Sequence, residues 1–197
     1  MSLIKLKNNA LDNLTSFEGS ASLGDMVLVS SATASSSASI EFDLGSYKEY
    51  KFFFVNIHGS AESQLTFNIS VDSGSNYNVA KTTSFFLAEH AENDSFNSLA
   101  YQTGRDLAQD TGFKVLQRAS DFSDADQSAS GSLQLFNPSS TTFVKHFISR
   151  IQSYGVARSH DSFAAGYANT TSALTNIKFQ MSSGNIDDGK ILMFGLN

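Results

Sequence analysis

The chain is predicted to be all-β, an antiparallel two-sheet sandwich in jelly-roll order with little helix, and three observations predict it. Charged residues make up only 16 % of the sequence, against ~25 % in an average domain. Surface helices need Glu, Lys and Arg for propensity and pairing, so this deficit argues against helices. The 17 Phe supply core material, while abundant Ser, Thr and Asn supply strands and turns rather than charged faces. Several segments also alternate apolar and polar residues at period two, the signature of a half-buried strand.

In chain order, residues 25–30 (DMVLVS) form an apolar strand, and residues 31–39 (SATASSSAS) a small polar loop. Ile40, Phe42 and Leu44 then alternate with Glu41 and Asp43. Residues 50–57 (YKFFFVNI) place Phe53, Val55 and Ile57 on one face and Phe52 and Phe54 on the other. That is the pattern of a central strand covered on both sides. The cleanest alternation is Leu65, Phe67, Ile69 and Val71 with Thr66, Asn68 and Ser70, ending in the turn Asp72-Ser73-Gly74-Ser75-Asn76. Further strands are expected at 82–87, 113–116, 132–136, 142–152, 174–181 and 190–196, about nine to ten in all. Phe143, Phe147 and Ile151 also have helical spacing, but β-branched and aromatic content favours a strand there.

Two polar stretches, 89–112 and 119–131, read as long excursions, the first with room for a helical turn or two. Near the C-terminus, Ile177, Phe179 and Met181 lead through a polar loop (182–189) into Ile191–Leu196, which reads as a hairpin whose last strand is apolar on both faces. The 197 residues suit one core. Residues 1–24 read as an extended N-terminal arm, and residues 25–197 as a single β-sandwich domain.

Composition also bounds function. The net charge of −6 and the absence of a Lys/Arg run leave no footprint for phosphates, so nucleic acid is not an expected partner. With no Cys, stability rests on packing or assembly rather than disulfides or thiolate-bound zinc. No signal-peptide core and no apolar run of about 18 residues occur, so folding in the cytoplasm is expected, with no membrane span.

The search for chemistry finds little. His58, His90, His146 and His160 lack a second ligand at metal spacing, and Asp161, next to His160, points to the opposite side of a strand. Ser159, His160 and Asp161 are triad residue types, but consecutive residues do not converge on one reacting atom. No nucleophile-elbow, Walker or dinucleotide-binding motif is present. Asp121, Asp124 and Asp126 are the weak candidates for a cation, yet their spacing departs from the calcium-loop pattern and lacks its distal Glu. Asp187 and Asp188 beside Gly189 suit a turn. No acid/base pair can be nominated for glycoside hydrolysis. The chain is therefore read as non-enzymatic, with no catalytic residue and no cofactor. Tyr77, Tyr101, Tyr154 and Tyr167 lie in or near loops, where they could stack on a sugar or anchor an interface.

Three segments carry a resemblance. The start MSLIKLKNNAL resembles the LIKL-(N)-NN-x-L opening of virion and fibre-type proteins of marine tailed phages. The end, 177–195, is similar to the pattern I-x-F-x-x-x-SGNI-x-x-G-x-I-x-L-[YF]-G of the same proteins, with Met193 where Leu or Ile is commoner. Residues 71–77 resemble their S-x-D-x-G-x-x-Y turn. The resemblance implies a phage structural module, often trimeric. The expected partners are other virion proteins, major capsid or tail, with a homo-oligomer, trimer favoured. The expected role is capsid-surface cement or decoration, or a head or tail accessory protein, located in the virion; the alternative is a receptor- or carbohydrate-binding fibre module that contacts a host glycan. Within the arm, Leu3, Ile4, Leu6 and Leu11 are the candidate apolar anchors, and Lys5 and Lys7 would meet acidic patches. Deleting residues 1–14 is expected to abolish attachment to the virion in a cosedimentation assay, with the β-type circular dichroism spectrum unchanged. Full binding by the truncated chain would remove the arm from the anchor.

Overall fold

A computed structural model of the chain describes residues 26–118, 122, 124–155 and 157–197. The candidate anchors Leu3, Ile4, Lys5, Leu6, Lys7 and Leu11, and Asp121, lie outside these residues. Among the described residues there is no helix, and thirteen strands run as β1 (Met26–Thr33), β2 (Ile40–Asp43), β3 (Glu49–Gly59), β4 (Leu65–Ser70), β5 (Lys81–Ala91), β6 (Asn97–Tyr101), β7 (Leu107–Asp110), β8 (Lys114–Val115), β9 (Ala129–Phe136), β10 (Lys145–Gly155), β11 (Arg158–Ala168), β12 (Asn176–Met181) and β13 (Ile186–Leu196). They form two antiparallel sheets packed as a sandwich. The nine-stranded sheet has the order β1-β13-β3-β9-β10-β11-β5-β6, with β7 also on β5, and the four-stranded sheet has the order β2-β12-β4-β8.

The core lies between the small sheet and the inner face of the large one. Alternation sets it, because every second residue of a strand faces the same way. Tyr50, Phe52 and Phe54 of β3, Leu133 and Leu135 of β9, and Phe147 and Ile151 of β10 meet Leu65, Phe67 and Ile69 of β4 and Ile177, Phe179 and Met181 of β12 in one buried cluster. Phe179 is its hub. Its ring lies 5.3 Å from Phe52 and 5.2 Å from Phe54 in edge contacts, with Phe42 at 6.3 Å and Phe67 at 6.5 Å. Such edge-to-face pairs add to the area term of aromatic burial.

Several expectations change. Ile57 does not share a face with Phe53 and Val55, because a bulge between Phe54 and Ile57, with Asn56 at φ 50°, turns Ile57 into the core. β3 is central, between β13 and β9, but it is covered on its inner face only: Phe53 is half-buried and Val55 is exposed. The predicted C-terminal hairpin is also replaced. β12 pairs with β2 and β4 in the small sheet, whereas β13 pairs with β1 and β3 in the large one, so residues 182–185 turn a corner between layers. The stretch 89–112 holds the end of β5 and strands β6 and β7 rather than helical turns, and β1 runs on through Ser31 to Thr33 into the expected loop. β10, the segment with ambiguous periodicity, is a strand.

Several polar groups buried at the small sheet are paired. All six residues of β4 are buried. The Asn68 amide donates to the Tyr77 and Thr111 carbonyls at 2.6 and 3.0 Å, and Lys81 Nζ donates to Asn68 Oδ1 at 2.6 Å and to the Val79 carbonyl at 2.8 Å. Lys114 sits over the Phe85 ring and donates to the Arg105 carbonyl, and Lys145 donates to the Phe143 and Thr170 carbonyls. Burial pushes Lys81 and Lys114 down to about 8, the direction expected when desolvation penalises the ammonium.

Phe179→Ala should cost about 3–5 kcal/mol in urea unfolding, the usual range for deleting a core phenylalanine. A loss under about 1 kcal/mol would mean that the two sheets do not lock through this ring.

Candidate functional site

The outer face of the nine-stranded sheet is the feature that the fold leaves unexplained. The small sheet covers the inner face, and no described layer covers the other side. The side chains that alternation sends outward are unusual for a solvent face. They include Phe53 and Val55 of β3, Leu192 and Phe194 of β13, Ile148 of β10, Phe163 and Tyr167 of β11, Phe86 of β5, and Leu99 and Tyr101 of β6. Leu99 is 73 % exposed, Ile148 55 % and Phe86 41 %. Charged groups that are not buried along these strands are Glu49, Lys51, Arg150, Asp161 and Lys190, with Glu89, Arg158, Asp187 and Asp188 towards the strand ends. The outer face of the small sheet shows the ordinary alternative, since there Lys178 pairs with Glu41 at 2.7 Å and lies over the Tyr77 ring.

Cross-strand register builds the aromatic part. Phe86 and Phe163 are directly opposite on β5 and β11, and their rings stack 4.7 Å apart at 10°. Arg150, from β10, lies over Phe163 at 4.8 Å while making a bidentate pair with Asp161, Nε to Oδ1 at 3.0 Å and Nη2 to Oδ2 at 2.6 Å. The guanidinium is thus held over the ring with its charge already met, so covering it costs less than covering a free ion. Beside this stack runs a shallow trough of about 630 Å³ across β10, β11 and β5. Its floor is Ser84, Ala165 and Gly166, and its walls are Phe136, His146, Ile148 and Tyr167. At Gly166 a Cβ would come within 2.4 Å of the Thr82 carbonyl oxygen, so close strand approach requires glycine there. Small residues on β11 thus make the trough; the same smallness hides β11 from a search for apolar alternation.

Other candidates fall in separate places. Asp124 and Asp126 are exposed, and Asp126 lines a shallow polar hollow with Asn56, His58, Asp187 and Asp188. Among the described residues no three His, Asp or Glu side chains are grouped to hold a metal. His58 Nδ1 donates to the Gln127 carbonyl at 2.7 Å. His160 points inward and Asp161 outward, as adjacency on a strand requires. Tyr77 donates to Glu41 and Tyr101 to Asp106, while Tyr167 stands in the trough.

One largely buried cluster has no signature in the sequence. Glu89 of β5 is directly opposite His160 of β11, with Oε1 at 3.5 Å from Nε2, and forms an ion pair with Arg118, Oε1 to Nε at 3.0 Å. These residues are far apart in the chain and only cross-strand register joins them. Burial, then the nearby Arg118 guanidinium, holds His160 down to about 4, with Arg158 and Arg105 adding to the effect and Glu89 opposing it.

No protein-family model, no curated protein and no solved structure matches the chain.

The His160 shift has a signed consequence. The folded state keeps His160 neutral below the unfolded value near 6.5, so the unfolded chain binds more protons in that window. The melting temperature should therefore fall as pH drops from about 6.5 towards about 4, and His160→Gln should flatten that slope. An unchanged slope in the variant would assign the pH dependence to other groups.

Proposed function

We propose that the chain is a non-enzymatic structural protein of a tailed-phage virion, a capsid-surface cement or decoration protein or a related head or tail accessory protein, which acts by burying area against other virion proteins. The observation that carries this is the outer face of the large sheet. Eight strands spaced ~4.8 Å and up to 11 residues long span roughly 34 by 36 Å, more than the ~800 Å² per partner of a standard interface. The face carries two aromatic areas, Phe53 with Phe194 on β3 and β13 and Phe86 with Phe163 on β5 and β11, flanking the more polar β9 and β10, and exposed apolar surface of this extent marks an interaction site. The resemblance of the first eleven residues, the 71–77 turn and the C-terminal segment to phage structural modules supplies the class of partner.

A second reading, a carbohydrate-binding fibre module, is favoured by the trough, where Tyr167 and His146 present rings beside Ser84 and Thr82 hydroxyls. Aromatic faces with adjacent hydroxyl groups suit a sugar ring.

Purified protein mixed with purified capsid shells should cosediment at saturable stoichiometry. Ile148→Asp, at an exposed position, should weaken that binding at least tenfold and leave the melting temperature within about 2 °C, since an exposed substitution typically changes stability little. Binding that ignores Ile148→Asp would remove this face from the contact. No shell binding, together with glycan-array binding lost in Tyr167→Ala, would replace the cement reading by the fibre module.

A further inference from the structure

Strand edges are where sheets recruit new strands, and natural sheets guard them with charge, proline or shortness. The small sheet follows that rule. Its edges are β2, four residues carrying Glu41 and Asp43, and β8, two residues including Lys114. The large sheet ends on one side in β6, five residues long, with β7 alongside on β5. Its other end is β1, where charge, proline and shortness are all missing and the bulge at Val29 is the one such device among the described residues. Met26–Thr33 (MVLVSSAT) is eight residues long, without charge or proline. It pairs with β13 on one side and with no described strand on the other.

The apolar half of β1 is bare on both faces. Met26 and Leu28, outward, are 46 and 53 % exposed, Val27, inward, is 46 % exposed, and Val29, the extra residue of the bulge opposite Phe194 and Met193, is 40 % exposed. Val27 faces the side of the small sheet and is still uncovered. Outward, Met26 lies opposite Leu196 and Leu28 opposite Phe194 of β13, while the β3 residues in register with these are Glu49 and Lys51, so the apolar surface at this edge is two strands wide and reaches β3 only diagonally, through Phe53. Phe53 and Phe194 touch edge-on at 5.6 Å.

We propose that β1 is a homodimerisation edge, pairing antiparallel with β1 of a second copy about a two-fold axis near residues 26–29. A second copy fits because an uncharged edge strand is its own complement in the antiparallel sense: each copy offers the same free backbone donors and acceptors and the same apolar side chains. A partner carrying charged flanks would gain nothing from an edge without charge. Pairing about Leu28 engages residues 26–30 of each copy, five residues and ~17 Å of strand, and with the flanking β13 side chains brought side by side it hides on the order of 1,000 Å² in total, the lower bound for a specific interface. The Val29 bulge bends the strand, which limits pairing to one partner and favours a closed dimer over a growing sheet. This contact lies at the edge of the sheet remote from the trough, and rests on the proposed function only in that both assign the chain to assembly.

The test is analytical ultracentrifugation of the full chain over a hundredfold concentration range. The expected species is a dimer, converted to monomer by Leu28→Lys, with dimerisation at least tenfold weaker and the circular dichroism spectrum unchanged. Because the chain has no cysteine, Leu28→Cys should give a covalent dimer on mild oxidation at native fold, while Asn93→Cys, in the loop at the opposite edge of the sheet, should not. A monomer at all concentrations, a trimer, or a dimer indifferent to Leu28→Lys with no Leu28→Cys cross-link would overturn the proposal. A monomer that still cosediments with shells sinks the edge contact and leaves the proposed function standing; a dimer that ignores shells does the reverse.

Discussion

Aromatic packing between two sheets of unequal width is the constraint on which the rest of the molecule depends. The small sheet presents Phe179, Phe67 and Phe42 to a row of inward rings on β3, and this contact fixes which face of the large sheet is inside. Because side chains alternate, that choice also fixes the outside. Everything that β3, β13, β10, β11 and β5 do not direct towards the small sheet is delivered to a surface that no layer among the described residues covers. The chain therefore has a core and, on the reverse of the same strands, an apolar surface.

The two outer faces of the sandwich are handled differently. The small sheet's outer face is closed with polar chemistry: Asn68, Ser70 and Thr66 are buried and bonded, and Glu41, Lys178 and Tyr77 finish the surface. Buried lysines tie loops to the sheets through carbonyl oxygens instead of through partner carboxylates. Such groups stay buried only because each finds acceptors. The large sheet's outer face lacks this finish. Its charges are few and its most prominent guanidinium is already neutralised by Asp161 and laid on Phe163, so a protein surface can cover it at small desolvation cost.

A reading of hydrophobicity as burial misled in one place, and the error is informative. Residues 50–57 and the last strand look buried on both faces because Phe53, Val55, Leu192 and Phe194 are as apolar as the residues between them. They are apolar and yet only half-buried or exposed within one chain. A strand apolar on both faces is predicted to have two neighbours; here the described residues supply one of them.

Alternation at period two, the deficit of charge and the phenylalanine content by themselves determined an all-β antiparallel sandwich, the positions of β2, β3, β4 and β10, and the Asp72 turn, because these depend on local geometry that repeats along the chain. Strands without a run of alternating apolar residues left no such trace: β11, with Ala164, Ala165 and Gly166 between Phe163 and Tyr167, and β7 within a polar stretch are strands because their neighbours offer a ladder. Only the tertiary structure decided that β12 and β13 belong to different sheets, that Phe86 stacks on Phe163, and that Glu89 meets His160 and Arg118. Those contacts join residues distant in sequence, and pairing order and register, which create them, are set by packing the whole chain rather than by any segment of it.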